Sequence, residues 1–319
     1  MISVIGAGAF GTALAIAIAR GGTPVSLWAR NSDDVKAMQS TGRARRLPGV
    51  ELPDLIRPET DLKKATQADT ILLAVPMQQL RGFLTEHTNL FKGKTLVACC
   101  KGIDLKTLEG PSDLIRHHVQ DATPAVLTGP SFAADIAQGL PTALTLACQN
   151  DAVGKALQNT LSTPVLRLYR STDTQGAELG GALKNVIAIA CGITVGRGLG
   201  ESARAAVMTR GFAEMTRFAT ALGGQAETLS GLSGLGDLVL TSTSDKSRNM
   251  RYGLALGQGA EFDPSITVEG ADTARAVAKI AQDRNLQMPL TCTVAQTLDQ
   301  SLSVDEAVTN LLSRPLRKE

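Results

Sequence analysis

The chain begins Met1-Ile2-Ser3-Val4-Ile5-Gly6-Ala7-Gly8-Ala9-Phe10-Gly11-Thr12, followed by the apolar run Ala13 to Ala19. Residues 1–5 are apolar and β-branched, as a buried strand requires, and residues 12–19 continue as a helix. Between strand and helix stand three glycines in the order Gly-x-Gly-x-x-Gly. Gly6 permits a tight turn, Gly8 lets backbone N–H groups approach a pyrophosphate, and Gly11 allows the helix to pack closely on the strand. The helix N-terminus turns its unpaired donors and positive dipole end toward the phosphates. A strand, this turn and a helix in sequence make a dinucleotide site. A secretory signal is excluded because none of residues 1–11 is charged.

Working outward, Pro24 to Ala29 reads as a second strand, Asp33 to Thr41 as a polar helix, and a short strand follows near Ile56. Thr70 to Val75 is a continuous apolar run, as expected of a parallel strand buried on both faces. Thr95 to Cys100, Ala125 to Thr128, Thr142 to Ala147 and Val165 to Tyr169 repeat the pattern. Strands alternating with helices predict an α/β fold, an N-terminal Rossmann doubly wound sheet. After Tyr169 the pattern changes to helical periods over 174–195, 201–222, 246–258, 270–285, 291–300 and 304–313, so the C-terminal domain is expected to be all-α. The division predicted is 1–172 for the NAD(P)-binding Rossmann domain and 173–319 for the helical domain, with a substrate cleft between them. The tail, Arg314 to Glu319, is expected to fray.

Composition narrows the classes of function. The chain has 319 residues, 43% hydrophobic and 19% charged, with a net charge of +2. That charge is too small to argue for nucleic acid or an anionic membrane as partner, and ten aromatics give no base-stacking platform. No membrane span is expected, because Val186 to Val195 is short and broken by Gly192. Cys99, Cys100, Cys148, Cys191 and Cys292 lack Cys-x-x-Cys spacing and lie in apolar stretches, which suits reduced thiols in the cytoplasm and no structural metal. His87, His117 and His118 read as surface residues without a partnering acid motif, and Arg43, Arg45 and Arg46 as a solvated loop.

In an NAD-selective site the second strand ends in an acid about 20 residues beyond the glycines. Here that stretch is Trp28-Ala29-Arg30-Asn31, and a guanidinium suits a 2′-phosphate, so NADP is expected to be accepted as well as NAD. In the helical half, Lys184 interrupts the apolar run Leu179 to Ala188, and apolar surroundings lower a lysine's pKa toward that of a useful proton donor. Gly231-Leu232-Ser233-Gly234-Leu235-Gly236-Asp237 lacks the Gly-Lys-Ser/Thr of a P-loop, and its glycines are read as flexible backbone that carries Asp237 to the cleft. Thr241 to Asn249 gathers hydroxyls, an amide and a guanidinium, a set suited to a phosphate or to an ordinary polar loop.

Taken in order, Gly6-x-Gly8-x-Phe10-Gly11, Cys100-Lys101-Gly102, Gly129-Pro130-Ser131-Phe132-Ala133, Leu183-Lys184-Asn185-Val186, Gly231 to Asp237, Ser247-Arg248-Asn249 and Val268-Glu269-Gly270 resemble the NAD(P)-dependent sn-glycerol-3-phosphate dehydrogenase family of the bacterial type. The resemblance covers residues 1 to about 290. It implies that Lys184 is the catalytic lysine, with Lys101 and Asp237 orienting substrate and proton donor. It further implies that Gly129 and Ser131 contact substrate and that Ser247, Arg248 and Asn249 bind its phosphate. Gly6, Gly8, Ala9, Phe10 and Gly11 are similar to cofactor contacts, as are Arg30, Asn31, Lys101, Ala133, Arg248 and Glu269. The family departs from this chain after Glu269-Gly270, where Ala271-Asp272 stands in place of a frequent basic residue.

The activity implied is reduction of dihydroxyacetone phosphate to sn-glycerol 3-phosphate with NAD or NADP, feeding phospholipid synthesis, in a homodimer. Two alternatives remain: a 3-hydroxyacid or 6-phosphogluconate type dehydrogenase, and a non-catalytic dinucleotide sensor.

Overall fold

Strand β1 (Ile2–Ile5) is buried along its whole length and lies inside an eight-stranded sheet. The computed structural model describes residues 1–313; the tail expected to fray, 314–319, lies outside the described residues. The other strands are β2 (Val25–Trp28), β3 (Ile56–Glu59), β4 (Thr70–Leu73), β5 (Thr95–Ala98), β6 (Thr123–Thr128), β7 (Thr142–Ala147) and β8 (Leu166–Ser171). Their order is β3-β2-β1-β4-β5-β6-β7-β8, so the winding reverses between β1 and β4, with Ser3 opposite Ile71 and Ile5 opposite Leu73. Ligands of such sheets bind beyond the carboxyl ends of the strands at this reversal, and Gly6 follows β1 there.

Seven pairings join the eight strands, and six are parallel; β6 and β7 run antiparallel, with Thr128 opposite Thr145. The apolar runs of β6 and β7 signal burial, which both directions satisfy equally, so their antiparallel pairing had no signature in the sequence.

The chain forms two compact units: residues 1–101 with 109–178, and residues 102–108 with 179–313. In the second, helix Thr174–Gly196 contributes residues 179–194, every one of them buried. It is long and apolar enough to cross a bilayer, yet 89% of its most apolar window is buried inside the protein, which makes it a core helix. Ile103, from the short inserted segment, is 2% exposed within this same helical core. Asp104 holds that segment by accepting from the backbone N–H groups of Lys106 at 3.0 Å and Thr107 at 2.9 Å.

Two buried glutamates fasten helix ends. Glu214 accepts from Leu290 N at 2.7 Å and Thr291 N at 3.0 Å, satisfying the head of helix Pro289–Leu298. Glu178 accepts from Ser112 N at 3.0 Å, at the head of helix Pro111–His118, and a Cβ on Gly110 would fall 2.3 Å from its Oε1. Burial pushes the Glu178 carboxyl up to about 7; hydrogen bonds from Ser112 and the Arg116 charge oppose that rise, and Asp113 adds to it. Because the folded value lies above the unfolded one, the contribution to stability is complete below the ordinary glutamate range. It is lost as pH rises through about 7, to the extent of about 3 kcal/mol. Thermal melts between pH 5 and 8 are expected to fall more steeply for the native chain than for Glu178→Gln. Parallel slopes would remove Glu178 as the cause.

His117 Nδ1 lies 2.7 Å from Glu109 Oε1, so this histidine does have an acid partner, in contrast to the sequence expectation. Arg43 pairs with Glu51 at 2.9 Å and Arg45 with Asp34 at 3.7 Å, all on exposed loop or helix positions except the more sheltered Asp34. The five cysteines are free thiols.

Candidate active site

In the sheet unit, Gly6 has φ +113°, and a Cβ there would lie 2.5 Å from the Ala74 carbonyl oxygen beyond β4. Gly11 is held as tightly, since its Cβ would lie 2.1 Å from the Gly6 oxygen. Gly8 differs: its backbone is extended, and its Cβ would meet nothing of the protein within 4 Å. The chain's own packing therefore does not require glycine at position 8, which leaves its backbone open to close approach. Helix Ala9–Arg20 begins here, with Ala9 and Phe10 in its first turn, without a capping side chain and without an acidic residue in that turn. Its free N–H groups and dipole fit a dinucleotide pyrophosphate.

Arg30 is exposed just past β2, a position suited to a ribose phosphate. Asn31 is committed locally: its Oδ1 accepts from Asp33 N at 2.8 Å and caps helix Ser32–Thr41. Lys101 Nζ donates to the Gly129 carbonyl at 3.1 Å, and Ser131 Oγ donates to the same oxygen at 3.2 Å. Three of the expected site residues thus meet beyond the ends of β5 and β6. Gly129 has φ +137°, which favours glycine at this turn. Ala133 opens the helix Ala133–Gln138, whose N-terminus also lacks a side-chain cap.

In the helical unit, Lys184 Nζ lies 3.0 Å from Asp237 Oδ1 and donates to Thr241 Oγ1 at 2.6 Å. Thr241 Oγ1 in turn donates to Asp237 Oδ1 at 3.3 Å, closing a triangle. The Lys184 and Asp237 side chains are 8% and 1% exposed. Burying an ammonium is costly unless it is paired and hydrogen-bonded, and here it is both.

The segment around Asp237 is also more ordered than expected. Residues 226–230 and 237–242 are helical, and Leu232–Gly236 is a π-helical turn between them. Asp237 and Thr241, four residues apart, therefore share one helix face. The sequence analysis places Thr241 only in the polar cluster 241–249 and not beside Lys184, although its i, i+4 spacing from Asp237 was available as a signal.

Ser247 caps helix Arg248–Gln258 by accepting from Met250 N at 3.2 Å; it is buried, whereas Arg248 is exposed. Asn249 Nδ2 donates to Asn185 Oδ1 at 2.8 Å, and its Oδ1 accepts from Gly270 N at 3.0 Å. Asn249 thus ties the neighbour of Lys184 to the head of helix Glu269–Asp283, which carries the half-buried Glu269. Asn185 also escaped the sequence expectation. Asp272, in that helix's first turn, pairs with Arg275 at 3.5 Å, and partial burial raises its carboxyl above the usual range.

Glycines bring these helices together. Cβ atoms on Gly192 and Gly253 would lie 2.2 Å from Met250 O and 2.1 Å from Ile189 O. Gly196 and Gly257 would meet Leu254 O and Ile193 O at 2.4 and 2.5 Å. Two Gly-x-x-x-Gly pairs thus let helix Arg248–Gln258 touch the Lys184 helix backbone to backbone, which places the Ser247-Arg248-Asn249 head beside Asn185.

Comparison with known proteins identifies the family of both halves of the chain. Residues 1–154 match the family model for the N-terminus of NAD-dependent glycerol-3-phosphate dehydrogenase, and residues 173–309 match that for its C-terminus. The glycerol-3-phosphate dehydrogenase (NAD(P)+) of Ruegeria sp. (strain TM1040) is 61% identical over 319 residues, covering 100% of this chain and 99% of that one. The enzyme of the same name from Paracoccus denitrificans (strain Pd 1222) is 57% identical over 318 residues, with 100% and 99% covered. The crystal structure of glycerol-3-phosphate dehydrogenase from Coxiella burnetii superposes with a TM-score of 0.93 at 39% identity, covering 98% of both chains. With its glycine turn, its paired lysine and family matches over both halves, the chain belongs to the NAD-dependent glycerol-3-phosphate dehydrogenase family.

Proposed function

We propose that this chain is a glycerol-3-phosphate dehydrogenase that reduces dihydroxyacetone phosphate to sn-glycerol 3-phosphate with NADH or NADPH. The observation that carries the proposal is the buried Lys184 ammonium, held by Asp237 and Thr241 at 3.0 and 2.6 Å on a helix otherwise built for packing.

When bound, the nicotinamide supplies a hydride to the ketone carbon. Lys184 would hydrogen-bond the ketone oxygen and give it the proton that, with the hydride the cofactor would supply to the carbon, balances reduction of the ketone to the secondary alcohol. An ammonium at that oxygen also offsets the charge that develops there. Asp237 and Thr241 hold the ammonium in place, and Lys101 with Gly129 and Ser131 orients substrate. Ser247, Arg248 and Asn249 take the phosphoryl group, which a guanidinium and small donors suit. Binding energy from that remote group is spent on orienting the carbonyl.

Gly6, Gly8, Ala9, Phe10, Gly11, Arg30, Asn31, Lys101, Ala133, Arg248 and Glu269 hold the cofactor in this proposal, with residues 1–172 as its domain and 173–319 as the substrate and dimerisation domain. The product serves phospholipid synthesis in the cytoplasm, and the working form is a homodimer.

The test is the loss of reduced-nicotinamide absorbance with purified protein. Both NADPH and NADH are expected to be consumed when dihydroxyacetone phosphate is added, and neither without it. Cofactor binding with no turnover would leave a sensor. Turnover confined to a 3-hydroxyacid or to 6-phosphogluconate would leave one of the related dehydrogenases.

A further inference from the structure

Gly180 stands four residues before Lys184 on the same helix, so the two face the same side. A Cβ on Gly180 would lie 2.7 Å from the Ser233 carbonyl oxygen, 3.0 Å from its carbon and 3.2 Å from Gly234 Cα. All three are backbone atoms of the π-helical turn, so no side chain can rotate away to relieve the contact. The turn is itself tight: Gly236 N bonds to Gly231 O at 3.1 Å, five residues back, and a Cβ on Gly234 would fall 2.0 Å from Leu229 O. Ser233 is fully buried. Asp237 follows the turn directly in helical conformation.

We propose that Gly180 and the π-helical turn Leu232–Gly236 are positioning elements that set the contact between Lys184 and Asp237. The wide turn carries one residue more than α-helical closure would. Removing that residue rotates everything after it by about 100° and takes Asp237 and Thr241 off the Lys184 face. Gly180 sets the other coordinate, because it lets the turn rest on the lysine helix at backbone contact distance. An added methyl group there displaces Ser233 and Gly234, and Asp237 with them. This inference rests on Lys184 being the proton donor.

The test compares Gly180→Ala with Gly211→Ala, a substitution that also crowds the lysine helix but away from the site, its Cβ lying 2.5 Å from Ile187 Cγ2. Gly180→Ala is expected to lower kcat by about ten- to a hundredfold while the KM for NADPH stays within about twofold. Gly211→Ala is expected to lose thermal stability yet keep kcat within about threefold. Should Gly180→Ala fail to fold, deletion of the exposed Leu235 makes the same demand without adding an atom to the core. A folded deletion variant is then expected to bind NADPH and turn over poorly.

Native kcat in Gly180→Ala or in the folded deletion would overturn the inference, as would equal kcat losses in the two alanine variants. Lys184→Ala separates the two levels of the claim. If it stays active, the function assigned to Lys184 fails; if it is inactive while Gly180→Ala is not, only the positioning role fails.

Discussion

Lys184→Ala is expected to lower kcat on the order of a thousandfold or more, with the KM for NADPH nearly unchanged. A positioned general acid contributes roughly 10²–10⁴ in rate, and the same ammonium stabilises charge developing on the ketone oxygen. Both are transition-state contributions, so they appear in kcat rather than in cofactor affinity. Lys184→Arg is not expected to restore the rate, because a planar guanidinium replaces a compact ammonium that can release its proton. Steady-state kinetics with saturating dihydroxyacetone phosphate and NADPH measure this. Turnover within a few-fold of native would remove Lys184 from the chemistry.

Asp237→Ala is expected to cost about 3–5 kcal/mol of stability, together with most of the activity. The reason is asymmetric: the substitution takes away the carboxylate 3.0 Å from an ammonium at 8% exposure, and a buried charge that loses its partner is far costlier than a missing pair. A double variant, Lys184→Met with Asp237→Leu, removes both charges and is expected to recover most of the stability while remaining inactive. Urea denaturation of the three proteins decides the matter. A stable Asp237→Ala chain, or a double variant no more stable than the single one, would mean that the pair is not the electrostatic unit described here.

Much of this was legible in residues 1–12. The glycine spacing between a β-branched run and an apolar helix announced the turn that Gly6 and Gly11 make against neighbouring backbone. Lys184 was visible as a charge in an apolar stretch, and the family resemblance supplied its role. Other features were hidden for physical reasons. Burial on both faces erases the alternation that would distinguish an antiparallel β7 from a parallel one. The glycines of 231–236 suggest flexible loop because glycine is a poor helix former, yet here their missing side chains permit a π-helical turn packed against Gly180. The pairings of Thr241 with Lys184 and of Asn249 with Asn185 span 57 and 64 residues of sequence, which local periodicity cannot register.

The insertion of 102–108 into the helical core limits how the molecule can be divided. A recombinant fragment starting at the lysine-bearing helix would lack Ile103 and expose an apolar socket, inviting aggregation instead of autonomous folding. Chimeras that exchange the nucleotide half between relatives would carry along a piece of the other half's interior, so a compatible graft has to match that socket as well as the sheet.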